Sequence, residues 1–222
     1  MADALVQDIT GNPHAFVIAC IADRQVKAET AWRLPYELGR RVGGSAFAHL
    51  RSLSPDRLHR AVAEVPALHR YPERMSASIS KALRRIEAEF GGDAAKIWLG
   101  KPSSAEVVLR FLMFDGVGPK IATMATNILA RDFKVPMADY SSVDVSVDVH
   151  LRRVFGRLGL IRAKATVEEV VYAARALHPE FPGLMDFPAW EIGREWCRPQ
   201  SPICSDCFMR DVCPTAVSGG AL

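Results

Sequence analysis

Four cysteines near the end of the chain, Cys197, Cys204, Cys207 and Cys213, are separated by six, two and five residues. Four thiolates in so short a stretch form a closed ligand set for one metal centre. Zinc accepts four cysteines, but its structural sites usually pair two short Cys-x(2–4)-Cys knuckles, and here only Cys204 and Cys207 make one. Three connections of unequal length suit the separated irons of a cubane better than a single tetrahedral ion. Disulfides are the weakest reading, because nothing in MADALVQDITGNPHAF resembles a signal peptide leading to an oxidising compartment. Spacing therefore ranks iron–sulfur first, zinc second and disulfides last. The fifth cysteine, Cys20, lies within AFVIACIA and reads as a small core residue.

A second constellation is FLMFDGVGPKIATMATNIL, residues 111–129. Gly116 and Gly118 bracket Val117 and permit a tight turn with outward-facing amides, and Pro119 suits the first turn of the helix that follows. Amides at a helix N-terminus attract anions, and the DNA phosphate backbone is one candidate. An ordinary helix–turn–helix connection is the alternative on these residues alone. Lys120 follows at once. Further on, Asp144 and Asp148 share a Val-Asp-Val setting, and HLRRVFGRLGLIRAK (150–164) carries basic residues and no acid. By itself that run reads as a solvated helix face.

The elements that must position these residues are almost all helices. Asn12-Pro13 and Ser54-Pro55-Asp56 each open one, and Thr166-Val-Glu-Glu169 is a capping box. Met75, Ile79, Ala82 and Ile86 recur at helical spacing before Gly91-Gly92 stops the run. VDVSVDV (143–149) alternates like a strand but is too isolated to form a sheet. At 222 residues, 49% of them hydrophobic, the chain can bury a substantial core, and its net charge of +3 hints mildly at an anionic partner. No apolar run approaches the roughly 20 residues of a membrane helix.

Taken together, DGVGPKIA resembles the hairpin signature of the endonuclease III superfamily of helix–hairpin–helix DNA glycosylases. VDVHLRRVFGRLGL is similar to that superfamily's segment bearing the catalytic aspartate, and the 6-2-5 cysteine loop is similar to its C-terminal iron–sulfur motif. The resemblance covers essentially the whole chain and is strongest from Leu109 to Cys213. It implies an all-α, two-lobed fold: a six-helix barrel lobe over 24–136 with the hairpin at 114–120, and a second lobe from 1–23 and 137–222 with the cluster loop at 197–213. DNA would lie across the groove between them.

The resemblance also implies a base-excision-repair glycosylase with associated AP (β-)lyase activity. A stacked duplex hides C1′, so the damaged nucleotide must be flipped out. Lys120 stands where bifunctional members carry their nucleophile, and attack on C1′ would expel the base and leave a Schiff base. The amine must be neutral to attack, which partial desolvation would favour. Asp148, followed by Val-His-Leu-Arg-Arg, matches the family aspartate that would stabilise the cationic sugar and move protons, with Asp144 in reserve. Cys197, Cys204, Cys207 and Cys213 would hold a [4Fe-4S] cluster that shapes a DNA-contacting loop beside Arg194, Arg198 and Arg210.

Gly116, Val117 and Gly118 would grip phosphate. Arg24 or Gln25 would plug the gap left by the flipped base, Arg70 and Tyr71 would form the opposing wedge, and Tyr140 would stack on the flipped base. Two departures stand out: Asp115 where the family commonly has proline, and a long link from Ala130 to Val147. The implied partner is double-stranded DNA with a damaged or mismatched base, bound by a monomer in the cytoplasm at a prokaryotic nucleoid. Rival readings are a monofunctional thymine or uracil mismatch enzyme and a non-catalytic DNA-binding module. An adenine enzyme is disfavoured, because that branch typically lacks the hairpin lysine and carries a further C-terminal domain.

Overall fold

A computed structural model describes residues 2–219. The helices are α1 (Ala2–Gln7), α2 (Pro13–Ala22), α3 (Ala28–Val42), α4 (Phe47–Ser52), α5 (Pro55–Ala63), α6 (Pro72–Phe90), α7 (Ser104–Leu112), α8 (Pro119–Arg131), α9 (Val149–Arg157), α10 (Val167–Leu177), α11 (Asp186–Glu195) and α12 (Pro214–Val217). Short 3-10 turns punctuate them, and no strand occurs among the described residues. The chain divides into two compact units, residues 1–102 with 109–125 and residues 103–108 with 126–222.

The first unit is built round α2. Every residue from Pro13 to Ala22 is buried, as expected of a helix that is apolar on all sides. Helices α3 and α6 pack against it. Phe16 sits edge-on to Trp98 and Phe111, whose rings stack on each other. Helix α6 buries Met75, Ile79, Ala82 and Ile86 on one face and ends at Gly91, where φ is +63°. Ser54 caps α5 by accepting from the Arg57 amide. This unit contains α1 and α2 together with the hairpin at 114–120. A wholly apolar helix needs neighbours all round, and α3 and α6 supply them.

Arg41 pins the loop after α5. Its guanidinium donates to the carbonyls of Ala61, Glu64 and Pro66 at 2.6–2.8 Å, which fixes the approach to Arg70 and Tyr71.

The second unit has a separate core that includes Val145, Leu151, Phe155, Val170, Ala174 and Ile192. Helices α9 and α11 pack closely at Gly193, where a Cβ would lie 2.6 Å from that of His150. Thr166 forms the expected capping box with Glu169. The 130–147 link is a pinned segment rather than a loose loop. Val135, Met137, Val143 and Val145 are buried along it, and Asp139 accepts from the buried Ser104 hydroxyl at 2.6 Å. The stretch leading into α9 is extended without a strand partner among the described residues.

Candidate active site

The hairpin forms as its glycines predict. Phe111 and Phe114 are buried, the Val117 amide donates to the Phe114 carbonyl at 3.0 Å, and Gly116 adopts φ +81°. Only glycine enters that conformation without strain. A side chain there would also collide with Arg24, whose Nη2 donates to the Gly116 carbonyl at 2.7 Å. Pro119 begins α8, and Lys120 follows, exposed and without an ion pair among the described residues.

Asp115, the acid beside the hairpin, is turned onto α6, where it accepts from Lys81 Nζ at 3.1 Å and Ser78 Oγ at 3.4 Å. Its charge is thereby partly compensated beside the hairpin's amides.

The two loops expected to wedge into DNA meet in this same unit. Gln25, exposed at φ +54°, accepts from the Tyr71 hydroxyl at 2.9 Å, and the Arg70 guanidinium lies 5.4 Å from the Tyr71 ring centre. Beneath them His69 is buried and accepts from the Tyr71 amide through Nδ1. Burial holds its imidazole below the usual histidine range, favouring the neutral ring. Arg24, Gln25, Arg70, Tyr71 and the hairpin are thus linked by direct contacts, whereas sequence spacing separates them widely.

In the second unit the two aspartates have different neighbours. Asp144 is held in a fork by Arg175, Nε to Oδ1 at 2.7 Å and Nη2 to Oδ2 at 2.8 Å. Asp148 is the N-cap of α9, and its Oδ1 accepts from the amides of His150 and Leu151 at 2.9 and 2.8 Å. One Asp148 oxygen is fixed by the helix end. Asp186, which the motifs do not single out, lies close by. Its Oδ1 accepts from the Ser146 amide at 2.6 Å, and burial, reinforced by the Asp148 charge, pushes its carboxyl up to about 6. Tyr140 stacks on Phe181 with centroids 5.1 Å apart, so one ring face is occupied within the protein.

The four terminal cysteines are free thiols lining one cavity with Trp196, Met209 and Arg157. Disulfides are therefore not formed. Among the described residues no three His, Cys, Asp or Glu side chains converge as ligands of a single ion would. Burial raises the Cys207 thiol, and the other three sulfurs add to the effect.

Much of the basic run is spent on this loop rather than facing solvent. Arg153 Nε donates to the Cys197 carbonyl at 2.6 Å and its Nη2 to that of Gly193 at 2.8 Å. Arg157 donates to Cys197 Sγ at 3.4 Å and to the carbonyls of Arg198 and Pro199 at 2.7 and 3.0 Å. Arg198 is exposed at the loop, with Nε on the Glu195 carbonyl, and the Arg194 guanidinium stacks on Trp190 at 4.5 Å.

The fold is shared with solved helix–hairpin–helix DNA glycosylases. A trapped endonuclease III–DNA covalent intermediate superposes with a TM-score of 0.64 at 19% identity, covering 92% of this chain and 85% of that one. A thermostable thymine-DNA glycosylase gives a TM-score of 0.67 at 14% identity, covering 96% and 88%. In sequence, endonuclease III of Thermotoga maritima is 34% identical over 113 residues, which is 50% of this chain and 46% of that protein. Endonuclease III-like protein 1 of Gallus gallus is 28% identical over 138 residues, covering 59% and 41%. The matched stretches thus span less than half of these two relatives. No protein-family model matches. The chain thus has the fold of these helix–hairpin–helix DNA glycosylases and is similar over half of its length to an endonuclease III. Among the described residues no helix is long and apolar enough to cross a membrane.

Proposed function

We propose that this chain excises a damaged base from duplex DNA and then nicks the resulting abasic site. The observation that carries the reading is Lys120: an exposed amine without an ion pair among the described residues, in the first turn of α8, directly after a glycine hairpin that turns at left-handed Gly116. Nζ bonds to C1′ as the glycosidic pair leaves with the base. Loss of a proton from nitrogen and opening of the sugar ring give an imine, and removal of a C2′ proton then expels the 3′-phosphate. Asp148 supplies a carboxylate for the developing sugar cation and a proton acceptor. Asp144 is unsuited to that role, since Arg175 occupies both its oxygens.

The hairpin amides at 116–118 hold phosphate, and Arg24, Gln25, Arg70 and Tyr71 form the surface that fills the vacated stack, with Arg194 and Arg198 as further backbone contacts. Tyr140, whose ring is backed by Phe181, bears on the extruded base. The protein acts as a monomer.

The four cysteines fit a [4Fe-4S] cluster. All four line one cavity, and their unequal 6-2-5 spacing suits four separated irons better than one zinc. Such a cluster supplies cross-linking of the loop rather than chemistry on the sugar. Arg153 and Arg157 fasten the same loop from α9.

The test is borohydride trapping on oligonucleotides bearing thymine glycol, uracil, mismatched thymine, mismatched adenine or 8-oxoguanine. The protein should trap covalently on at least one, and Lys120→Ala should abolish the adduct. Undiminished trapping by Lys120→Ala would remove Lys120 as nucleophile. Base loss seen only after alkaline workup would instead identify a monofunctional enzyme. Asp148→Asn keeps a good N-cap, so it should fold and bind damaged duplex while excising at least about 100-fold more slowly.

A further inference from the structure

His69 is a polar side chain that the chemistry on the sugar leaves unused, yet it is only 4% exposed, next to a fully presented Arg70. Burying an imidazole is costly unless its nitrogens are employed. Its Nδ1 accepts from the Tyr71 amide at 3.0 Å, closing the turn into α6 as an asparagine or aspartate side chain would two residues earlier. Burial favours the neutral ring, and the Arg24 charge adds to the effect. An accepting Nδ1 then leaves the proton on Nε2. That nitrogen is buried and faces the carbonyls of Ala22 and Arg24, an electrostatic contact without an aligned hydrogen bond.

The two segments that meet at this ring carry the surface proposed above to fill the vacated stack. On one side the chain leaves α2 through a tight turn, with the Arg24 amide on the Ala22 carbonyl at 2.7 Å. That turn delivers Gln25 at φ +54°, a left-handed conformation that residues other than glycine adopt at a cost. On the other side Tyr71 caps the start of α6 and tilts its ring against His69, with centroids 6.1 Å apart. Its hydroxyl donates to Gln25 Oε1 at 2.9 Å. The turn, His69, Tyr71 and Gln25 thus close a circle of contacts inside the first unit. Side chains held in such a circle have less freedom left to lose on entering DNA.

We propose that His69 is a positioning residue for DNA recognition: it locks Tyr71 and Gln25 together as one preassembled wedge for a duplex with a gap in its stack. The proposal rests on the wedge role given to Tyr71 and Gln25 above. His69 does not touch DNA itself. Its acceptor nitrogen sets the direction in which Tyr71 leaves the loop, and Tyr71 in turn holds Gln25.

The experiment measures how strongly the full chain prefers a duplex carrying a tetrahydrofuran abasic analogue over the same duplex undamaged. His69→Phe fills the space but offers no acceptor, and should lower that preference about tenfold, the worth of one hydrogen bond. His69→Asn restores an acceptor for the Tyr71 amide and should recover most of the loss. Tyr71→Phe removes the bond to Gln25, and adding it to His69→Phe should cost less than the two single losses combined, because both act on one wedge. A preference unchanged in His69→Phe, no recovery in His69→Asn, or fully additive losses would each overturn the proposal. Nitrogen-15 NMR of the unaltered protein needs no variant: His69 should appear as the neutral ring protonated on Nε2, and a proton on Nδ1 at pH 7 overturns the proposal even if His69→Phe fails to fold. An unaltered protein with no preference for the abasic analogue would refute the glycosylase reading and the wedge with it, whereas a preference that survives His69→Phe removes only the role of His69.

Discussion

Asp144 and Asp148 occupy the same Val-Asp-Val setting, yet Arg175 forks onto one while the amides of α9 hold an oxygen of the other. Their roles are divided by what surrounds them. Asp144→Asn should destabilise the protein by about 1–2 kcal/mol in urea unfolding, since it weakens a partly buried fork without emptying the pocket. Asp186 gives the pH dependence. Its folded carboxyl is raised to about 6 from 3.8, so between those values the folded state holds a proton that the unfolded state has released, and stability falls as pH rises through the window. Asp186→Asn should therefore stabilise the fold by on the order of 1–2 kcal/mol at pH 7.5, with the gain shrinking towards pH 4. A gain that is constant with pH would contradict this assignment.

At the scale of elements, the hairpin and the helix ends carry the most local information. Gly116→Ala meets both a left-handed backbone and the Arg24 guanidinium; melting should show a loss of at least about 1 kcal/mol, together with weaker binding of duplex DNA. Thr166→Ala removes one half of the capping box on α10 and should cost about 1 kcal/mol without touching excision. Helix α2 responds differently, because its residues are core on every side. Phe16→Ala should cost about 3–5 kcal/mol, enough to unfold many domains of this size.

For the molecule as a whole, two cores are held separately, one around α2 and one between α9, α10 and α11. The cysteine loop belongs to the second. Anaerobically purified protein should be yellow-brown, with broad absorbance near about 400 nm. Arg157→Ala removes the donor to Cys197 Sγ and to two loop carbonyls, so that absorbance should bleach faster in air. Under the same change the α2 amides should stay protected from hydrogen exchange, because their surroundings come from the first unit. A colourless protein that binds zinc stoichiometrically would exclude the cluster.

The sequence by itself determined what depends on neighbours within a turn or two. The all-helical class, the Ser54 and Thr166 caps, the apolar face of α6, the glycine hairpin and the grouping of four cysteines all follow from local spacing and backbone preference. Tertiary structure decided what depends on residues brought together from afar. It placed α2 inside the first unit, because an apolar helix shows its need for cover but not which helices provide it. It assigned Arg153 and Arg157 to the cysteine loop, although a basic run looks like a solvated face until its acceptors are known. It brought Gln25 to Tyr71 and Arg24 to Gly116, and it set Asp186 against Ser146 and Asp148. A carboxylate's chemistry is governed by burial and neighbouring charge, and neither can be read from its place in the chain.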